Sequence, residues 1–392
     1  MSTFTISTPE ILRRIHRLQE FLHETNQSGA CIFAAMRTFY LSGFHHLPTE
    51  RPVVLVVPAD GDVAIMVPFL EEENIPVRTP HITNVAVYRE YPGKKHPMLH
   101  LRDLLVSLHL DDKPLAVDSL NWGGGWGYRG PSLPDVVPQA SFTNIANVID
   151  DWRMVKSPEE LRLLAMSARL ADLAHGCLHE AIQPGLTEIE ISMRATTAAT
   201  VSMANLLGPT WEGSGAKVSF TSGPKTAHNH RSAGGRRVQR GDVILTGSGP
   251  VVGGYLVELE RMMIVGEPSQ QQRKYFDLEV QAQDAALAAI KPGARCGDVE
   301  RAVNTFLERE RLMELARTHI GHGIGIEGHE GPFLDEGDDT LLQPGMVLCV
   351  EPCLFLPGVA GFRHSDTVLV TEEGFEFITT YPRDIESLTV HV

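Results

Sequence analysis

Two segments of this chain, AIQPGLTEIE from Ala181 and AIKPGARCGDVE from Ala289, echo one another 108 residues apart. In each, an apolar helical pattern stops at Pro-Gly and a second helical segment begins, near Glu188 in one case and near Asp298 in the other. Each is followed by a strand-like run, GDVIL from Gly241 and GMVLCV from Gly345, 104 residues apart. A helix-helix-strand unit is therefore present twice, and the duplication predicts a domain with an internal pseudo-two-fold repeat.

The duplicated region opens at Ser157-Pro158-Glu159-Glu160. Ser157 can cap a helix, Pro158 suits its first turn, and Glu160 completes a capping box. What precedes it reads differently. A helix over 9–26 is followed by the apolar runs ACIFAA (30–35), PVVLVVP (52–58) and DVAIMVP (62–68), with a turn at Ala59-Asp60-Gly61. The alternation of strands and helices predicts a small α/β domain over 1–150, ahead of the duplicated domain over 151–392. The Gly- and aromatic-rich stretch 119–135 lacks the strand-to-helix context of a phosphate loop and reads as a long loop over the site.

A formal charge of −15 and the lack of any Lys/Arg-rich run argue against nucleic acid or an anionic membrane as partner. The N-terminus has no apolar core of signal-peptide length, and no stretch of about 18 apolar residues follows, so the expected compartment is the cytoplasm. Five cysteines without a CxxC pair fit a reduced compartment, and Cys349 and Cys353 read as core residues.

Three segments carry a resemblance. GDVILTGSGPVVGGYLVELERMMIVGEP (241–268), HIGHGIGIEGHE (319–330) and PGMVLCVEPCLFLPGVAGFRHSDTVLV (344–370) resemble, in order and spacing, the signature segments of the creatinase, aminopeptidase P and prolidase superfamily. YLSGF (40–44) and ERPVVLVVP (50–58) extend the likeness into the first domain. The resemblance implies an α/β (α+β) chain: an N-terminal creatinase-type α/β domain, then a pita-bread catalytic domain. It also implies a homodimer and a small-molecule substrate.

The peptidases of this superfamily are known for two divalent ions held by Asp, Asp, His, Glu and Glu, an oxygen-rich set that activates a bridging water. The resemblance places those positions on Gly247, Glu258, His322, Glu351 and Ser365. Gly247 has no ligand atom, and Ser365 offers only a neutral hydroxyl. His364 is no substitute, because adjacent strand residues face opposite ways. Glu258, His322 and Glu351 could still hold a single ion, so an Xaa-Pro peptidase with a reduced metal site is one alternative. A catalytically silent peptide- or protein-binding member is another.

The metal-free member, creatinase, is similar in VELER (257–261) and KPGARCGDV (291–299). This likeness implies that Glu260 binds substrate and that the catalytic histidine is His230 by ungapped counting, or His228 if the local match AHN is preferred. Creatinase has a second histidine where Ser365 stands and a substrate arginine where Asp335 stands, so creatine itself is not implied. Arg51 matches an arginine that reaches the neighbouring subunit's site.

The residues add their own chemistry. Glu258 and Glu260, two apart in a strand-like run, project from one face, and Glu351 joins them if the repeat brings its strand alongside. The plain alternative is a structural ion pair with Arg261 or another arginine. Confined carboxylates raise one another's pKa, and a guanidinium or amidinium satisfies them through charge-assisted bonds. His230 lies in the polar loop HNHRSAGG, where an imidazole can take a proton from water and return it to a leaving nitrogen. The glycines around His322 and His329 permit close approach of a ligand, and Arg363 can anchor a substrate carboxylate. The expected activity is metal-independent hydrolysis of a C–N bond in a small cationic nitrogen compound, with no cofactor.

Overall fold

The computed structural model describes residues 4–392 apart from 124, 125, 210, 214, 229 and 318. The chain forms two compact units, one of Ile6–Trp152 and one of Arg153–Val392 joined by residues 4–5. Among the described residues, no helix is long and apolar enough to cross a membrane.

The first unit is a six-stranded mixed sheet. Its order is Asn84–Tyr88, Ala64–Pro68, Val54–Pro58, Gly29–Ile32, Pro114–Val117, Ser141–Asn144. The helix Thr8–Glu24 is capped by Ser7, and its buried residues Ile11, Ile15, Leu18 and Leu22 recur at helical spacing. Arg51 is held within this unit by Glu50 (2.6 Å) and Glu90 (2.8 Å). The stretch 119–135 is irregular except for a short helix at Leu133–Val136, which the sequence reading left out. Residues 124 and 125 of that stretch lie outside the described residues.

The second unit contains the duplication. In the first half, helices Pro158–Ala181 and Glu188–Leu207 each start with a capping box, Ser157 with Glu160 and Thr187 with Glu190. They precede a sheet ordered Thr389–Val390, Leu259–Val265, Val243–Ser248, Val218–Ser222. In the second half, helices Gln270–Ala289 and Cys296–Arg309 precede a sheet ordered Glu330–Phe333, Gly321–Gly323, Val347–Val350, Asp366–Val370, Phe375–Phe377.

The halves join where Glu260 meets Ser365. The Glu260 amide donates to the Ser365 carbonyl (3.0 Å) and the Ser365 amide to the Glu260 carbonyl (3.1 Å). Arg261, next along and fully buried, points the other way. It bonds Asp366 Oδ1 at 2.7 Å and the carbonyls of Tyr381 and Pro382. This alternation directs odd and even residues of the strand to opposite sides of the sheet, with the site on the Glu260 side.

Candidate active site

Glu260 lies between the two positions where the superfamily's carboxylates are missing. It pairs across the sheet with Gly247 on one side and bridges Ser365 on the other. Cross-strand partners share a face. A Cβ at residue 247 would lie 2.7 Å from Ser219 Oγ, 3.1 Å from Glu260 Oε1 and 3.3 Å from Glu260 Cγ. The Glu260 side chain therefore uses the room that a side chain at 247 would need. Ser365 is fully buried, with its hydroxyl 2.8 Å from Cys349 Sγ.

The second departure is a cation. Arg363 Nη2 donates to Glu260 Oε1 at 2.6 Å, and its Nε lies against Oε2. Its Nη1 is 3.5 Å from Glu351 Oε2. Arg363 was expected to anchor a substrate carboxylate. In the structure the carboxylates of the chain engage it at the cavity wall, and Glu260 realises the structural ion pair with Arg363 rather than Arg261.

Glu258 and Glu351 complete the acidic wall. Glu258 precedes the strand Leu259–Val265, and its amide donates to Thr367 Oγ1 at 3.1 Å. The Glu351 amide donates to the Ile320 carbonyl at 2.7 Å, fixing it beside the histidine segment. One guanidinium among three carboxylates leaves the group net negative, and its members divide the difference unequally. Burial and the neighbouring carboxylates of Glu260 and Glu351 push Glu258 well above the usual carboxylate range. Burial pushes Glu260 up to about 7 even though Arg363 opposes the shift. Burial acts on Glu351 too, but His322 and Arg363 outweigh it and hold that carboxyl below its ordinary value.

His322 is fully buried and stacks on His329, with ring centroids 3.7 Å apart. Its Nδ1 faces the Gly323 carbonyl at 3.0 Å. A carbonyl only accepts, so Nδ1 carries a proton, and Nε2 lies 3.3 Å from Glu351 Oε1. His319 packs edge-on against both rings. Burial lowers the pKa of His319 and His329. Glu330, next to His329 in the chain, lies 2.9 Å from Lys156 Nζ and 2.6 Å from Arg153 Nη2.

Glu258, Glu260, Glu351, Arg363, His319 and His329 line a cavity of about 620 Å³ together with Lys217, Ser219 and His230, while His322, expected to contact substrate, is fully buried outside that lining. His230 is exposed and has a left-handed backbone (φ 57°) that turns it to the cavity. His228 is exposed and outside that lining, so the geometry favours His230 over its competitor. His364 faces away, with its amide and Nδ1 on Glu279 at 2.9 and 3.1 Å. Sequence reasoning missed His319, Lys217 and Ser219. The His-x-x-His spacing of 319 and 322 was a signal for the first. Lys217 and Ser219 become visible only through the register that sets them opposite Gly247 and its neighbours.

The donor set does not fit a two-ion centre. Gly247 supplies nothing, Ser365 is engaged with Cys349, and a guanidinium lies against Glu260. A single ion fits better, since Glu258 and Glu351 offer oxygens and His322 offers Nε2. Glu258, His322 and Cys349 also bring ligand atoms within 4.8 Å of one another.

The profile of metallopeptidase family M24 matches residues 162–372, and that of the creatinase/prolidase N-terminal domain matches 14–155. The chain is 27% identical to a putative dipeptidase, YkvY, of Bacillus subtilis, over 95% of this chain and 99% of that one. It is also 27% identical to a creatinase of a Bacillus species, over 96% and 92% of the two chains. Among solved structures, dipeptidase PepE from Mycobacterium ulcerans superposes with a TM-score of 0.83 at 25% identity, covering 99% and 100% of the chains. The prolidase from Pyrococcus horikoshii shares the fold, with a TM-score of 0.81 at 22% identity and coverage of 95% and 99%. The chain belongs to metallopeptidase family M24, with a creatinase/prolidase N-terminal domain and the pita-bread fold, a family of hydrolases that includes dipeptidases, prolidases and creatinase.

Proposed function

We propose that this chain hydrolyses a C–N bond in a small compound carrying a cationic nitrogen, without the two-ion centre of the peptidases. The observation that carries the reading is the wall of Glu258, Glu260 and Glu351, compensated by one guanidinium and facing the same cavity as His230. A guanidinium, amidinium or ammonium group on the substrate supplies the missing positive charge.

His230 takes a proton from water as the water oxygen adds to the carbon of the scissile bond. It then returns that proton to the leaving nitrogen as the C–N bond breaks. Glu260 and Glu351 orient the substrate, with Glu351 kept ionised by His322 and Arg363.

A second reading has its own support. Several relatives are named dipeptidase or prolidase, which favours a peptide bond, and Glu258, His322 and Glu351 could hold one divalent ion. When bound, that ion would supply Lewis-acid polarisation. A dipeptide also carries a cationic ammonium, so the acidic wall serves either substrate.

The test screens guanidines, amidines, ureas and dipeptides for turnover by exhaustively chelated protein, with His230→Ala and His228→Ala alongside. The leading reading expects turnover after chelation, abolished by His230→Ala and kept by His228→Ala. Activity lost on chelation and restored by manganese would select the one-ion reading. No turnover of any class in either state would leave a binding protein.

A further inference from the structure

The cavity has a second wall. Ser219, Gly247 and Glu260 form one row across three strands, since Ser219 pairs with Gly247 and Gly247 with Glu260. The next pairs, Val218 with Ser248 and Ser248 with Leu259, face away from this row. One step further, past the ends of the paired strands, Lys217, Gly249 and Glu258 line the cavity as well, as do Val218 and Ser248.

The paired row has Gly247 in its middle, and Gly249 lies two residues further along the same segment. A Cβ at Gly249 would lie 3.0 Å from the Val257 carbonyl oxygen, and one at Gly247 would meet Ser219 and Glu260. The middle strand presents no side chain, and the outer two are about 10 Å apart, twice the usual interstrand spacing. The result is a trough with carboxylates on one wall and Lys217 and Ser219 on the other.

Lys217 is exposed, and its ammonium makes no ion pair or hydrogen bond among the described residues. Arg363, the other lysine or arginine in the lining, is engaged by Glu260 and Glu351. In a chain of net charge −15 an incoming carboxylate is repelled overall and needs a dedicated cation.

We propose that the trough binds a short zwitterion, with its cationic nitrogen against Glu258 and its carboxylate on Lys217. The proposal rests on the cationic-substrate reading above and adds the anionic end and the residue that selects it. Filling the trough floor removes the site whatever the charges, so Gly249→Val eliminates binding of every probe.

Calorimetric titration with two matched probe pairs tests it. These are 3-guanidinopropionate with propylguanidine, and glycylproline with glycylpyrrolidine; within each pair the members differ by the carboxylate. In at least one pair the carboxylate-bearing probe binds the native chain about tenfold more tightly. Lys217→Met erases that preference while leaving the other probe's affinity unchanged. A preference that survives Lys217→Met, or no preference in either pair, overturns the role of Lys217 but leaves the acidic wall intact. Failure of all four probes to bind overturns the cationic-substrate reading, and this proposal with it.

Discussion

Replacing Arg363 by Met removes the one cation inside a wall of three carboxylates, and the structure sets both the size of the effect and its pH dependence. The guanidinium bonds Glu260 Oε1 at 2.6 Å and lies 3.5 Å from Glu351 Oε2, with its side chain 16% exposed. Breaking a buried pair of this kind costs about 3–5 kcal/mol when the remaining charge has no other partner. Protonation offers an escape. Burial has already raised Glu260 to about 7 with Arg363 in place, and losing the guanidinium raises it further.

A carboxyl whose folded pKa is raised contributes stability that is fully present below its unfolded value, about 4.5, and lost as pH rises through the folded value. In Arg363→Met the loss continues to higher pH than in the native chain. Chelated Arg363→Met should therefore be less stable than chelated native protein by about 3 kcal/mol at pH 8 and by under about 1 kcal/mol at pH 5.5. At roughly 3 °C per kcal/mol for a unit of this size, melting falls by about 10 °C at pH 8. Calorimetric melts across that range read it directly. An equal loss at both pH values would refute the claim that Glu260 takes up a proton when its partner is gone.

Gly247→Ala should cost about 1–2 kcal/mol in urea unfolding, because the new methyl crowds Ser219 and Glu260, and the cost should vanish in a Ser219→Ala, Glu260→Thr background. The same cost in both backgrounds would mean that Glu260 does not use the room at residue 247. Lys156→Met leaves the buried Glu330 with Arg153 as its remaining cation partner and should destabilise the chain by about 3 kcal/mol, read by the same unfolding assay. It should also broaden the NMR resonances of His329, the neighbour of Glu330, and sharp, unshifted resonances would exclude a role for that ion cluster in holding the histidine.

The sequence exposed the duplication because helix stops and caps are local. Ser157 and the Pro-Gly stops act through residues within one turn, and the structure keeps them. The metal-position departures at Gly247 and Ser365 were equally legible, since each is a single residue in a recognisable segment. That Glu260 stands between them was not, because it depends on a cross-strand pair from one half and a bridge to the other. The engagement of Arg363 was hidden for the same reason. Its partner Glu260 is 103 residues away in the chain. His364 was predicted correctly to face away, because period-two alternation alone decides it.

The central claim is that the Glu260–Arg363 pair takes the place of the two-ion centre. Metal content after dialysis against excess manganese, measured on the native chain and on a Gly247→Asp, Glu260→Thr, Ser365→Glu variant, tests it most directly. The account predicts at most one ion per native chain and additional bound metal in the variant. Two tightly held ions per native chain would contradict it.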